Sequence, residues 1–268
     1  MMGLATPPVA RDVWARRLRR ARQLDERYPF ASELLRLYEA LLPTQERAFL
    51  EALDAQLDPT AVAPYVAAGV WPDVVQTTAM AGPPALVAAV SERLGEGDAI
   101  GAVARWLQGE PQPPVERYLA RAATSPVLEA LGPLAGAACS AGASAVLCPL
   151  CDGLPQVSYL SDAGEALVSG PRMLACCRCG ASWIHQRMTC AACGEQSTSK
   201  LPIFADAERL PHLRADACET CRRYLITVDL RKDPEAVPAV DELVALPLDL
   251  YVQERGFAKI VPNLMAIG

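Results

Sequence analysis

Eight of the ten cysteines in this 268-residue chain form four Cys-x-x-Cys pairs, and the pairs repeat. They are Cys148/Cys151, Cys176/Cys179, Cys190/Cys193 and Cys218/Cys221. Each cysteine of the first two pairs recurs 42 residues later, so Cys148 maps onto Cys190 and Cys179 onto Cys221. Within each unit 24 residues separate the two pairs. Little else repeats: Arg172 matches Arg214, Ala175 matches Ala217 and Ile184 matches Ile226. This is the pattern of one metal unit used twice, with the other side chains free to diverge.

The chemistry explains the spacing. Two intervening residues make a tight turn that points both sulfurs at one ion, and a second such turn, delivered by a hairpin, completes a tetrahedron of thiolates. The residue after the second cysteine often takes a positive φ, which glycine adopts without strain. Gly180 and Gly194 stand there, Gly153 comes one residue later after Cys151, and Arg222 departs from the pattern. The repeat predicts sequential pairing: Cys148, Cys151, Cys176 and Cys179 in one site, Cys190, Cys193, Cys218 and Cys221 in the other. Interleaved pairing stays open at this level. All-sulfur tetrahedral sites suit either iron or zinc, so the expected cofactors are two metal ions of one or the other kind. A thioredoxin-type redox pair is the competing reading, but it calls for a single Cys-x-x-Cys opening a helix.

The rest of the composition fits a soluble globular chain, with 51% hydrophobic and 21% charged residues. The run containing Arg11, Arg16, Arg17, Arg19, Arg20 and Arg22 resembles a twin-arginine signal only superficially, since no apolar segment follows it. No uncharged apolar stretch of membrane-spanning length occurs. A cytoplasmic protein with no membrane partner is expected, and in that compartment ten cysteines point to metal or redox chemistry instead of disulfides.

Four regions follow, giving an α+β chain. Residues 1–145 read as an all-helical domain. Leu34, Leu35, Leu37, Tyr38, Leu41 and Leu42 lie at helical spacing, Pro43 is expected to stop that run, and Thr44 to cap the next helix. Ser125-Pro126 is expected to start a helix running to about Ala141. Gly95-Glu96-Gly97 is among the expected breaks. Residues 146–187 and 188–230 read as tandem rubredoxin-like, or zinc-ribbon, units of four cysteines each, with β-prone runs at 157–160, 182–184 and 224–228. Residues 231–268 read as a helical tail, kinked or divided at Pro247 and ended at Gly256.

Other reactive side chains have plainer readings. Cys177, inside the second turn, is expected to point away as a neighbour. Cys139 reads as a small buried hydrophobe. His185 and His212 are assigned to the surface or to support of the ligands, Trp183 to covering the first site, and the N-terminal arginines to a solvated helix face. No Ser/His/Asp set, phosphate loop or HExxH pattern appears, so no catalytic residues are expected.

From Cys148 onward several motifs stand in a definite order. They are Cys-Pro-x-Cys, Leu174-Ala175-Cys176-Cys177-Arg178-Cys179, Trp183, Arg187, Cys190-x-x-Cys193-Gly194, Cys218-x-x-Cys221 and Tyr224. Asp233-Pro234, Asp241-Glu242-Leu243, Leu248-Asp249 and Glu254-Arg255-Gly256-Phe257 follow. This order resembles the formate dehydrogenase accessory protein FdhE family. The helical region matches more weakly, through Tyr28-Pro29-Phe30 and Leu34-Leu35. The resemblance implies a cytoplasmic maturation factor that assists the catalytic subunit of formate dehydrogenase, is not itself an enzyme, and ligates metal through the eight paired cysteines. The family tail tends to read Asn-Pro then Pro-Gly, whereas here Pro262-Asn263-Leu264 and Ile267-Gly268 stand. The alternatives are a nucleic-acid-binding zinc ribbon and a thiol redox protein. Against the first, residues 146–230 hold eight basic and nine acidic side chains and the whole chain has a net charge of −6, so phosphate capture is not expected.

Overall fold

A computed structural model describes residues 8–94, 97–139, 146–161 and 170–264. The expected break at Gly95-Glu96, the helix end at Ala141 and the tail residues Ile267-Gly268 lie outside these. The chain divides into two compact units, Met1–Ala141 and Gly142–Gly268. Among the described residues no helix is long and apolar enough to cross a membrane.

The first unit is helical. Its members are α1 (Pro8–Arg27), α2 (Ser32–Asp54), α3 (Val62–Tyr65), α4 (Trp71–Ala81), α5 (Pro84–Leu94), α6 (Ala99–Gln108), α7 (Pro114–Leu131) and the short α8 (Ala135–Ala138). A π-helical turn, Val66–Val70, joins α3 to α4. Helix α2 packs on α1, α4 and α7. Pro43 does not stop it, and Thr44 caps nothing: the helix runs through both. An internal proline costs about 3 kcal/mol. Each fully buried leucine returns roughly 1.5–3 kcal/mol, and Leu35, Leu37 and Leu41 are all at 0% exposure on the same helix. Packing therefore outweighs the local penalty.

Helix α7 shows the same override. Pro126 lies inside it instead of starting a new helix. Proline has no N–H, so the carbonyl four residues earlier, that of Ala122, loses its helical donor. The buried Gln45 of α2 supplies the replacement, its Nε2 donating to the Ala122 carbonyl at 2.9 Å. Nearby, the buried Glu116 accepts from both Arg93 and Arg105. The arginine stretch of α1 is not wholly a solvated face either. Arg20 is buried, and Arg17 stacks on Trp14 and pairs with Glu129 at 2.9 Å.

The second unit is one sheet with a helical C-terminal segment. Its strands are β1 (Pro155–Leu160), β2 (Arg172–Cys176), β3 (Ser182–His185), β4 (Ile203–Phe204), β5 (Leu213–Cys218), β6 (Arg223–Asp229) and β7 (Ala258–Lys259). The order is β3-β2-β1-β6-β5-β4, with β7 also beside β6. The 42-residue repeat is visible here, because β5 occupies the positions of β2 shifted by 42. Neighbours are antiparallel except β1–β6 and β6–β7. The parallel β1–β6 pairing, with Ser158 opposite Thr227, fuses the two cysteine units into a continuous sheet.

After the sheet come α9 (Pro238–Asp241) and α10 (Leu246–Gln253), the latter with Pro247 in its first turn and Gly256 in a left-handed conformation beyond its end. A buried ionic cluster ties this segment down. Lys259 lies 2.7 Å from Glu242 and 2.9 Å from Asp249. Gln156 donates to Glu242 and Tyr224 to Asp249.

Candidate metal centres

Each Cys-x-x-Cys pair sits on a turn with the same local design. The backbone N–H two residues after the first cysteine points at its sulfur: Leu150 at Cys148 (3.5 Å), Arg178 at Cys176 (3.3 Å) and Ala192 at Cys190 (3.3 Å). Thr220 does the same for Cys218. Such donors stabilise thiolate. The residue after the second cysteine is left-handed in all four turns: Asp152 (φ 53), Gly180 (φ 68), Gly194 (φ 77) and Arg222 (φ 56). Arg222 thus departs from the pattern in residue type and keeps its geometry. Its guanidinium lies 3.8 Å from the Phe257 ring centroid and donates to the Arg255 carbonyl, which counters the backbone cost. Gly153 has a different reason to be glycine: a Cβ there would lie 2.5 Å from the sulfur of Cys176.

The hairpins bring the turns together sequentially. Cys148, Cys151, Cys176 and Cys179 form one quartet, and Cys190, Cys193, Cys218 and Cys221 the other, with all sulfurs of a quartet within 4.8 Å of one another. The interleaved arrangement is therefore not the one adopted. In the first quartet Cys148–Cys179 is 3.7 Å, and Cys151–Cys176 and Cys151–Cys179 are 3.4 Å. In the second, Cys190–Cys221 and Cys193–Cys218 are both 3.7 Å. A metal–sulfur bond of about 2.3 Å gives a tetrahedron with edges of about 3.8 Å, whereas a disulfide needs about 2.05 Å. The spacing fits a metal cage. The thiols also cannot share negative charge on their own. Contact with Cys151 raises the Cys148 thiol, and bonds from Cys176 and Cys179 outweigh it and bring it down to about 7. Contacts with Cys148 and Cys151 drive the Cys176 and Cys179 thiols up. A central cation resolves that competition.

Residues 188–266 match the family described as "FdhE, C-terminal domain". Curated relatives carry the name "Protein FdhE homolog". That of Aquifex aeolicus is 36% identical over 118 residues, 44% of this chain and 41% of the relative. That of Haemophilus influenzae (strain PittGG) is 36% identical over 112 residues, 42% and 35%. The matched stretch is thus about two fifths of these relatives' length. The crystal structure of the FdhE protein from Pseudomonas aeruginosa superposes with a TM-score of 0.67 at 26% identity, over 95% of both chains. The chain is similar to FdhE proteins, in sequence over its C-terminal part and in fold along its length.

Within this FdhE-like fold the two quartets differ in exposure. Cys148, Cys151, Cys176 and Cys179 are all buried, whereas Cys193 is exposed and Cys221 half-buried. Cys177 is buried and outside both quartets. Cys139 is half-buried at the end of α8, not enclosed as a hydrophobe. Trp183 lies on β3 opposite Leu174, and its buried indole N–H has no partner among the described residues. Neither histidine is at the surface, and neither joins a quartet. His185 bonds the Thr189 carbonyl, and burial together with the charge of Arg172 lowers its pKa. His212 bonds Asp241 at 2.9 Å and has Asp233 within reach, a third group of potential ligands that no spacing motif announced.

Proposed function

We propose that this protein is a cytoplasmic accessory factor, not an enzyme, that binds the catalytic subunit of formate dehydrogenase and assists its assembly or activation. The names of its relatives and the likeness along the whole chain to an FdhE structure support the family role. The observation that carries the reading is the pair of sulfur quartets, one enclosed and one with an exposed cysteine. The eight paired cysteines hold two metal ions, iron or zinc: iron would supply one-electron redox at the exposed centre, and zinc a purely structural hold. The chain's own part is to deliver thiolates, screen the first quartet from water, and present the second to a partner.

The test is affinity purification of the tagged protein, under reducing conditions, from cells making a formate dehydrogenase. The catalytic subunit should be recovered with it. Reproducible absence of that subunit, with the protein folded and metal-loaded, overturns the reading.

A further inference from the structure

One face of the sheet carries a second feature, built from the repeated arginines. Strand register places Leu160 opposite Arg172, Thr227 opposite Arg214, Leu225 opposite Asp216, and Asp216 opposite Ile203. These side chains share a face. All of them but Thr227 line a cavity of about 150 Å³, open on one side, whose lining also includes Cys190. Four arginines line it, Arg172, Arg187, Arg214 and Arg223, and Asp216 is the one carboxylate among the lining residues.

That carboxylate is already committed. It accepts from Thr227 at 2.7 Å, lies 3.2 Å from the Arg172 guanidinium and 2.9 Å from that of Arg214. Thr227 in turn accepts from Ser158, which accepts from Arg172. Arg172 is only 6% exposed. Burial lowers its pKa, Asp216 opposes that, and the charges of Arg214 and Arg187 lower it further. Arg187 bonds only the Gly170 carbonyl among the contacts described, and the exposed Arg223 makes no ion pair among the described residues. Four positive charges thus face one spent negative charge. Arg172 already has its donors met by Ser158, by the Thr189 carbonyl at 2.9 Å and by Asp216, so the uncompensated charge of the cavity lies with the other arginines, above all Arg187 and Arg223. The remaining wall is apolar, with Leu225 and Ile260 buried, and Met188 and Ile203 exposed at 52% and 51%.

We propose that this cavity binds a carboxylate carried on a small apolar body. The arginines take the carboxylate in planar, paired hydrogen bonds, and the apolar wall takes the rest. A void of this size holds about one benzene ring. The carboxylate comes either from a free small acid or from the C-terminus of a peptide, and both present the same chemistry.

The experiment is calorimetric titration of the metal-loaded full chain with benzoate, with benzyl alcohol as the uncharged control. Acetyl-Ala-Leu-Phe is titrated with its terminus as free acid or as amide. Saturable binding of an acid without its uncharged counterpart supports the site; tighter binding of benzoate assigns a free acid, tighter binding of the peptide acid assigns a chain terminus. Arg172→Met should weaken binding about tenfold to a hundredfold, the effect of removing a charged hydrogen-bond partner. Arg223→Gln, at an exposed position, should weaken it severalfold with the fold intact, so the site stays testable if the buried variant does not fold. No saturable binding of either acid at millimolar concentrations, equal binding of acid and uncharged counterpart, or affinity unchanged in Arg223→Gln and in folded Arg172→Met overturns the proposal.

Discussion

Replacing Gln45 by leucine should cost the helical unit more than its size suggests. The substitution keeps a side chain of similar bulk at a position only 5% exposed. What it removes is the donor to the Ala122 carbonyl at 2.9 Å. Pro126 cannot restore that donor, so a buried carbonyl is left unpaired, at a cost of about 1–3 kcal/mol. The added apolar burial returns part of this, leaving a net loss of about 1–2 kcal/mol. The decisive comparison is with Pro126→Ala. Alanine returns the N–H to α7, the Ala122 carbonyl regains its helical bond, and Gln45→Leu should then cost close to nothing. Three of the four tryptophans, Trp14, Trp71 and Trp106, lie in this unit, so urea unfolding followed by tryptophan fluorescence reports it. The double-mutant cycle should give a coupling of about 1–2 kcal/mol. If Gln45→Leu is equally costly in both backgrounds, the glutamine is not standing in for the missing amide and the reasoning fails.

Other expectations follow from the second unit. Lys259→Met leaves Glu242 and Asp249 buried without their cation, and should destabilise by about 3–5 kcal/mol near neutral pH in denaturant titrations. The pH dependence has a definite sign. Burial pulls the Lys259 pKa down, but Glu242 and Asp249 outweigh it and hold it above its ordinary 10.5. Its contribution is complete below that value and fades as pH rises through the folded-state value, a limb the Met variant should lack. Gly153→Ala forces a Cβ against the Cys176 sulfur, so elemental analysis should show about one metal equivalent lost, from the first quartet alone. A competing chelator should empty the second centre first, because Cys193 is exposed while the first quartet is buried; biphasic release with the Cys190→Ser variant lacking the fast phase is the expected record.

The two cysteine quartets were legible in the sequence because their determinants are local. Two residues between cysteines dictate the turn, and the 42-residue period favoured sequential over interleaved pairing, which the hairpins then decided. Arg222 was harder to read: its left-handed backbone is compensated by Phe257 and the Arg255 carbonyl, residues more than thirty positions away. Pro43 and Pro126 misled for the same kind of reason. Local rules end helices at proline, yet the leucine stripe of α2 and the donor from Gln45 are tertiary facts. The burial of both histidines, and of Arg20, likewise depends on packing that periodicity does not encode. Arg172 and Arg214 were visible as repeated positions. Arg214 meets Asp216 along its own strand, but the approach of Arg172 to the same carboxylate required the parallel β1–β6 pairing, which no spacing predicts.

The claim beneath all of this is that eight thiolates make two separate cages. An anomalous diffraction map from crystals of metal-replete protein, with data on both sides of the iron and zinc edges, reads it out directly. Two peaks are predicted, one at bonding distance from Cys148, Cys151, Cys176 and Cys179 and one from Cys190, Cys193, Cys218 and Cys221. A single shared peak, a peak drawing sulfurs from both sets, or sulfurs bonded to each other with no metal between them would contradict it.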